Sequence, residues 1–208
     1  VDVQRKWVYL EYIFFGSTDI LESDYYKFKL IDAIFTGLMK KVENKPMVLE
    51  VINIPSIKSI LKEKLKTSLE RIQKSLYNFL ERQRQNFPRF YFIGDQDLLE
   101  IIGNRKDIYK INKNLNKMFP GISLLLSEDG DKLTGMISRE FEEVKFEQSI
   151  KISDDPVVYL WLRKVQEQMK LTLATNLEAA VNELFEIYYI KNSDEFIEWI
   201  EQYPAQIT

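Results

Sequence analysis

The chain has 208 residues, 45% of them hydrophobic and 29% charged, with a formal net charge of −3, a balance that suits a folded protein and gives no overall pull towards nucleic acid or acidic lipid. Cysteine and histidine are both absent, which excludes disulfides, thiolate–imidazole zinc sites, Ser-His-Asp and Cys-His catalysis and a histidine pH switch, and fits a reducing compartment. Glycine (7) and proline (6) are scarce, favouring long regular elements in one domain or two small helical ones, and no charge-free apolar run has the length of a membrane span.

Val3, Trp7, Leu10 and Phe14 fall at helical spacing before Gly16, so a first helix is expected there. After the loop GSTDILESD, Asp24 is the expected cap of a helix with the stripe Phe28, Ile31, Phe35, Leu38 and Val42. Lys40, Lys41 and Lys45 suit its C-terminal end. The apolar run MVLEVINI between Pro46 and Pro55 reads as a short helix or turn.

From Ser56 to Asn86 there is neither glycine nor proline, and Ile57, Leu61, Leu65, Leu69, Ile72, Leu76 and Phe79 recur every three or four residues. This is a rod of about 30 residues, roughly 45 Å long at 1.5 Å per residue. Pro88 disfavours helical geometry at Phe87, so the rod ends there. An extended or β-prone aromatic run, Arg89 to Ile93, follows. Asp95 then caps a short helix with Leu98, Leu99, Ile101 and Ile102 that closes at Gly103. Asp107 caps another, with Ile108, Ile111, Leu115 and Met118 inward and Pro120-Gly121 beyond.

The period then changes. Ile122–Leu126 and Leu133–Ile137 flank Glu128-Asp129-Gly130-Asp131, which predicts a β-hairpin on an Asp-Gly turn. Val144, Phe146, Ile150 and Ile152 suggest further strands. Asp154-Asp155-Pro156 starts a second rod whose stripe is Val158, Trp161, Leu162, Val165, Met169, Leu173, Leu177, Val181 and Leu184. Asn192-Ser193 breaks it, and Glu195–Glu201 forms a last helix with Phe196, Trp199 and Ile200. Both ends read as cut from a longer chain.

Candidate chemistry is sparse. No glycine-rich loop ends in Gly-Lys-Ser/Thr, so nothing cradles a triphosphate. The acids around Gly130 lack the ligand spacing of a calcium loop and read as a solvated hairpin tip. Glu140, Glu142, Glu143 and Glu147 read as a charged strand face and not as a glycosidase pair. Between Glu128 and Asp155, nine acidic and four basic residues give a net −5. From Asn104 to Lys117, five basic residues against Asp107 give +4, a solvated helix face or a surface for an acidic partner domain. Phe87, Phe90, Tyr91 and Phe92 read mostly as core at a junction of elements. Arg89 there stacks on a ring or pairs with Glu81 or Asp95.

Three separated segments carry a family likeness: VDVQRKWVYLEYIFFG (Val1 to Gly16), ERQRQNFPRFYFIGDQDLLEIIGN (Glu81 to Asn104) and EWIEQYPAQI (Glu198 to Ile207). In that order they resemble the linker region of cytoplasmic dynein heavy chains, across nearly the whole chain. Two departures stand out. The loop GSTDILESDYYKF is shorter than the family pattern and lacks its leucine–proline element, and the stretch before EWIEQYPAQI is short.

The resemblance implies a mechanical lever of a cytoplasmic, cytoskeletal motor that couples ATP-driven changes of an AAA+ ring to force along microtubules. It implies no catalysis and no cofactor in this stretch itself, with ATP and magnesium held by the ring. Its partners would be that ring, the tail or cargo-adaptor side through an N-terminal extension, and the microtubule only through the whole motor; no nucleic acid or membrane is expected. A helical scaffold that docks partner proteins is the alternative. The fold expected is mainly α, an elongated multi-helix bundle with long rods and a small β-hairpin or sheet insertion. It would divide into 1–87 and 88–208, the latter with the β segment 122–152, the long helix 154–190 and the terminal helix. The expected hinge or junction residues are Pro55, Phe87, Pro88, Arg89, Phe90, Tyr91 and Phe92. Expected ring contacts are Asp129 and Asp131 at the Ser127–Leu133 tip, and Arg105, Lys110 and Lys113 on the basic face.

Overall fold

The computed structural model describes residues 1–16, 22–44, 46–53, 57–190 and 193–202; Lys45, Pro55, the loop 17–21 and the end 203–208 lie outside the described residues. The protein is mainly α-helical with one small antiparallel sheet, as expected. It forms two units, Val1–Phe119 and Pro120–Thr208.

The first unit holds α1 (Asp2–Gly16), α2 (Glu22–Asn44) and the short α3 (Val48–Ile52). The rod follows as one helical run: α4 (Ile57–Ser59), a π-helical stretch (Ile60–Lys66) and α5 (Thr67–Asn86). Leu10 and Phe14 of α1, Phe28, Ile31, Phe35 and Leu38 of α2, and Leu65, Leu69, Ile72, Leu76 and Leu80 of the rod are buried. Leu80, and not the expected Phe79, ends the buried stripe. Trp7 locks α1 to α2, its ring 4.8 Å from that of Phe35 and its indole N–H donating to Asp32 at 3.0 Å.

The π stretch suits the apolar spacing of the rod. Ile57, Leu61, Leu65 and Leu69 are spaced by four, and in a regular α-helix each four-residue step overshoots a full turn by about 40°. Wider i→i+5 winding turns the chain less per residue and returns this stripe towards one face. Ile57, Leu65 and Leu69 are accordingly buried and Leu61 half-buried.

Asp24 lies inside the first turn of α2 and not at its cap. It is nearly buried and accepts from Lys27 at 2.8 Å. Burial pushes its carboxyl up, but hydrogen bonds from Lys27 and from Ser75 of the rod outweigh that and hold it below the ordinary value of 3.8.

The first unit runs on past the 87/88 division read from the sequence, to Phe119. The chain after Pro88 folds back on the rod: a 3₁₀ turn (Pro88–Phe92) leads into α6 (Asp95–Gly103) and α7 (Ile108–Met118). Gly94, not Asp95, caps α6. Asp107 does cap α7, its carboxylate accepting from the Lys110 backbone N–H at 3.3 Å. All four expected residues of α7 are buried.

The second unit begins with β1 (Ile122–Glu128), β2 (Lys132–Ser138) and β3 (Glu143–Lys151), paired antiparallel in that order. Asp129 and Gly130 both have positive φ, 54° and 71°, within the three-residue loop between the paired Glu128 and Lys132, a backbone that Asp-Gly readily adopts. Between β2 and β3 the register jumps from Leu133↔Ile150 to Gly135↔Lys145, leaving a bulge in β3. Its backbone donors are not orphaned: Glu147 N–H donates to the Thr172 hydroxyl and Gln148 N–H to the Gln168 side chain. Gly135 permits the close approach, since a Cβ there would lie 2.6 Å from the Val144 carbonyl oxygen.

Helix α8 (Val158–Ile190) packs on β3, and α9 (Ser193–Gln202) packs on the far part of α8. Val158, Trp161, Leu162 and Val165 are buried as expected. Leu173, Leu177 and Val181, expected to continue that stripe, are exposed. They too are reached in steps of four, and α8 has no π stretch to correct the drift, so the stripe winds off the sheet.

Candidate mechanical junction

At the end of α5 the ladder closes normally, Phe87 N–H donating to Gln83 O at 3.0 Å. Phe87 then turns to extended geometry, φ −139° and ψ 96°, as the following proline demands. The aromatic run does not form a strand. Pro88 supplies the fixed φ that starts a helical turn, and Phe90 N–H→Phe87 O (2.9 Å) and Ile93 N–H→Phe90 O (3.1 Å) close a 3₁₀ turn.

That turn separates the aromatics by face. Phe87, Phe90 and Ile93 are buried, whereas Tyr91 is 53% and Phe92 71% exposed. The Phe87 and Phe90 rings meet edge to face at 5.0 Å, and Phe119 lies 6.4 Å from Phe87, pairs worth about 0.5–1.5 kcal/mol each beyond burial.

Arginines hold the turn from both sides. Arg89 sits 4.5 Å over the Phe119 ring and donates to Met118 O at 2.7 Å, tying the turn to the end of α7. The ring stacking weighed for Arg89 is therefore its geometry. The two acids near it have other partners: Arg84 pairs with Asp95 at 2.7 Å and also donates to Ile93 O at 3.2 Å, and Tyr91 OH donates to Glu81 at 2.7 Å. Tyr9 OH of α1 donates to Asp95 at 3.3 Å. Burial, then the Asp95 charge, raise the Tyr9 phenol above its usual 10, and the hydrogen bond to Glu81 does the same for Tyr91. Lys117 pairs with Asp97 at 2.7 Å, joining α7 to α6.

This end of the rod is packed shut. Arg84, Phe119 and Tyr9 complete it and were missed in the sequence. The available signal for Arg84 was a basic residue four positions before the proline, with an acid seven positions after it.

A family model described as dynein heavy chain, N-terminal region 2, matches residues 1–180. The chain belongs to the dynein heavy-chain family. It is 47% identical over 213 aligned residues to a cytoplasmic dynein heavy chain of Paramecium tetraurelia and 45% over 212 to that of Drosophila melanogaster. It is 38% identical over 215 to dynein axonemal heavy chain 17 of Mus musculus. Each alignment covers 99–100% of this chain but only 4–5% of the relative. The three fingerprint segments of this dynein segment thus lie within a whole-chain similarity.

The remaining expected site residues fall in different units. In the first, Arg105 and Lys113 are exposed, and Lys110 donates to the Asn104 side chain at 2.7 Å. Tyr109 beside them is also exposed. In the second, Asp131 is not a plain surface charge: its carboxylate accepts from the backbone N–H and hydroxyl of Ser153 at 2.8 and 2.7 Å, and its carbonyl accepts from Ile152 N–H at 2.9 Å. It staples the hairpin tip to the end of β3, while Asp129 lies at the exposed turn. Among the described residues no acidic cluster could hold a metal ion, and no helix is long and apolar enough to cross a membrane.

Proposed function

We propose that this dynein heavy-chain segment is a mechanical linker, a lever that couples nucleotide-driven changes of an AAA+ ring elsewhere in the heavy chain to force along microtubules. ATP and magnesium would be held by that ring. The chain would meet the ring through the basic 105–117 face and the hairpin tip, and the tail or cargo side through what precedes Val1. The setting is the cytoplasm and its cytoskeleton.

The observation that carries the reading is the unequal build of the rod. Its Pro88 end is closed by Arg84, Arg89 and the Phe87–Phe90–Phe119 rings. Its other end runs through seven residues of π-helix, a winding that in longer helices often marks functional positions. A lever needs a stiff joint and a compliant one, so bending is assigned to Ile60–Lys66.

The test is made in the intact motor. Deleting Glu63, which lets the π stretch rewind as α-helix, should change linker-swing amplitude and step size. Pro88→Ala should leave both close to wild type. The reverse pattern overturns the assignment, and no effect of either variant removes the lever reading from this rod.

A further inference from the structure

Helix α8 carries two apolar faces and only one is covered. Val158, Trp161, Leu162, Val165 and Thr172 are buried on the sheet side. Further along, α9 covers Ala180 and Ile187 and lays Trp199 against them, its indole donating to Ala180 O at 2.9 Å. Beside that small core, Leu173, Leu177, Val181 and Tyr188 fall within an arc of about 80° at 3.6 residues per turn. This stripe is roughly 23 Å long at 1.5 Å per residue. Leu177 is 50% and Tyr188 74% exposed. Phe185 and, on α9, Phe196 and Ile197 are exposed as well, and apolar exposure on this scale marks an interaction site.

The charge around the stripe restricts what can cover it. From Leu171 to Gln202 there are seven acidic residues (Glu178, Glu183, Glu186, Asp194, Glu195, Glu198, Glu201) and one basic residue, Lys191. Glu178 edges the stripe on one side; beyond α9, Glu183 and Glu186 line a shallow pocket with Glu198. A second copy would bring like charges together across the contact, which is costly. A helix with an apolar stripe edged by lysine or arginine fits instead. Because the chain spans only 4–5% of its relatives' length, such a helix within the same polypeptide would act at the high effective concentration of a tethered ligand.

We infer that the Leu173–Tyr188 face of α8 is an intramolecular docking surface for a basic-edged amphipathic helix of the same heavy chain, outside residues 1–208. This inference rests on family membership and not on the lever reading.

The experiment places a photo-crosslinking amino acid at Leu177, and in a second variant at Tyr188, of an intact heavy chain co-expressed with a differently tagged, unsubstituted copy. Both positions are exposed, so both variants should fold. The expected product at each is a crosslink within one polypeptide, mapping to a segment whose apolar stripe is flanked by lysine or arginine. Glu178→Lys should lower its yield several-fold at low salt. Crosslinks to the tagged copy, crosslinks to another protein, absence of crosslink, or a yield indifferent to Glu178→Lys would each overturn the proposal. Because crosslinking reads contact and not motion, its outcome is independent of whether the rod acts as a lever.

Discussion

Phe141 sits at φ 68° with its ring 86% exposed, in the turn that joins β2 to β3. An L-residue in this region carries a cost of roughly 1–2 kcal/mol, and a solvated ring offsets none of it through burial. The turn itself is well made: the Ser138 hydroxyl accepts from Glu140 and Glu142 N–H, and Ser138 N–H donates to Glu142 O at 2.9 Å. Phe141→Gly removes the strain and gives back part of the gain as unfolded-chain entropy, so stability should rise by about 0.5–1 kcal/mol. A higher urea midpoint at unchanged m-value would register it. Asp24 supplies a pH dependence of definite sign. Its folded-state pKa lies below the ordinary 3.8, so its contribution is complete above that value and is lost as pH falls through the lower folded value. Urea midpoints measured from pH 5 downward should fall, and Asp24→Asn should flatten that slope. A variant as acid-sensitive as wild type would remove Asp24 as the cause.

Among the elements, the joint at Phe87–Ile93 is held by side chains that no local pattern pairs. Arg84→Met should cost about 1–2 kcal/mol, since it removes a charge-assisted bond to a partly exposed Asp95 together with the bond to Ile93 O. Faster amide exchange at Ile93–Asp97, with the rod unaffected, would locate the loss. Helix placement was legible from spacing and punctuation: Pro88 stopped the rod, Asp107 capped α7, and Asp-Gly made the hairpin. Those signals act within a few residues of themselves. Arg89's stacking on Phe119 depends on how α7 folds back, which spacing does not encode. The extent of the first unit turns on a related point. Pro88 ends a helix, but the aromatics after it fold back onto the rod and so extend the first unit. An apolar repeat of four predicts a buried stripe, which holds for most of the rod and fails in α8, because burial follows the winding as well as the spacing.

For the whole molecule, a lever must transmit force without using surface charges that its own fold requires. Asp131 binds Ser153, so reversing it would disturb the tip and any contact together. Asp129 and Lys113 give cleaner probes. Asp129→Asn keeps a side chain suited to positive φ, and Lys113 is exposed on α7. Both Asp129→Asn and Lys113→Glu should leave thermal unfolding within about 0.5 kcal/mol of wild type. Each should lower microtubule-gliding velocity of the intact motor if these faces meet the ring, and unchanged gliding in both would withdraw them as contacts. The π stretch adds a coupling of its own. A helix that rewinds from the wider to the tighter winding must rotate one end relative to the other while its length changes. Ile60–Lys66 would then behave as a screw thread: any pull along the rod would turn α4, and any torque on α4 would draw on the rod.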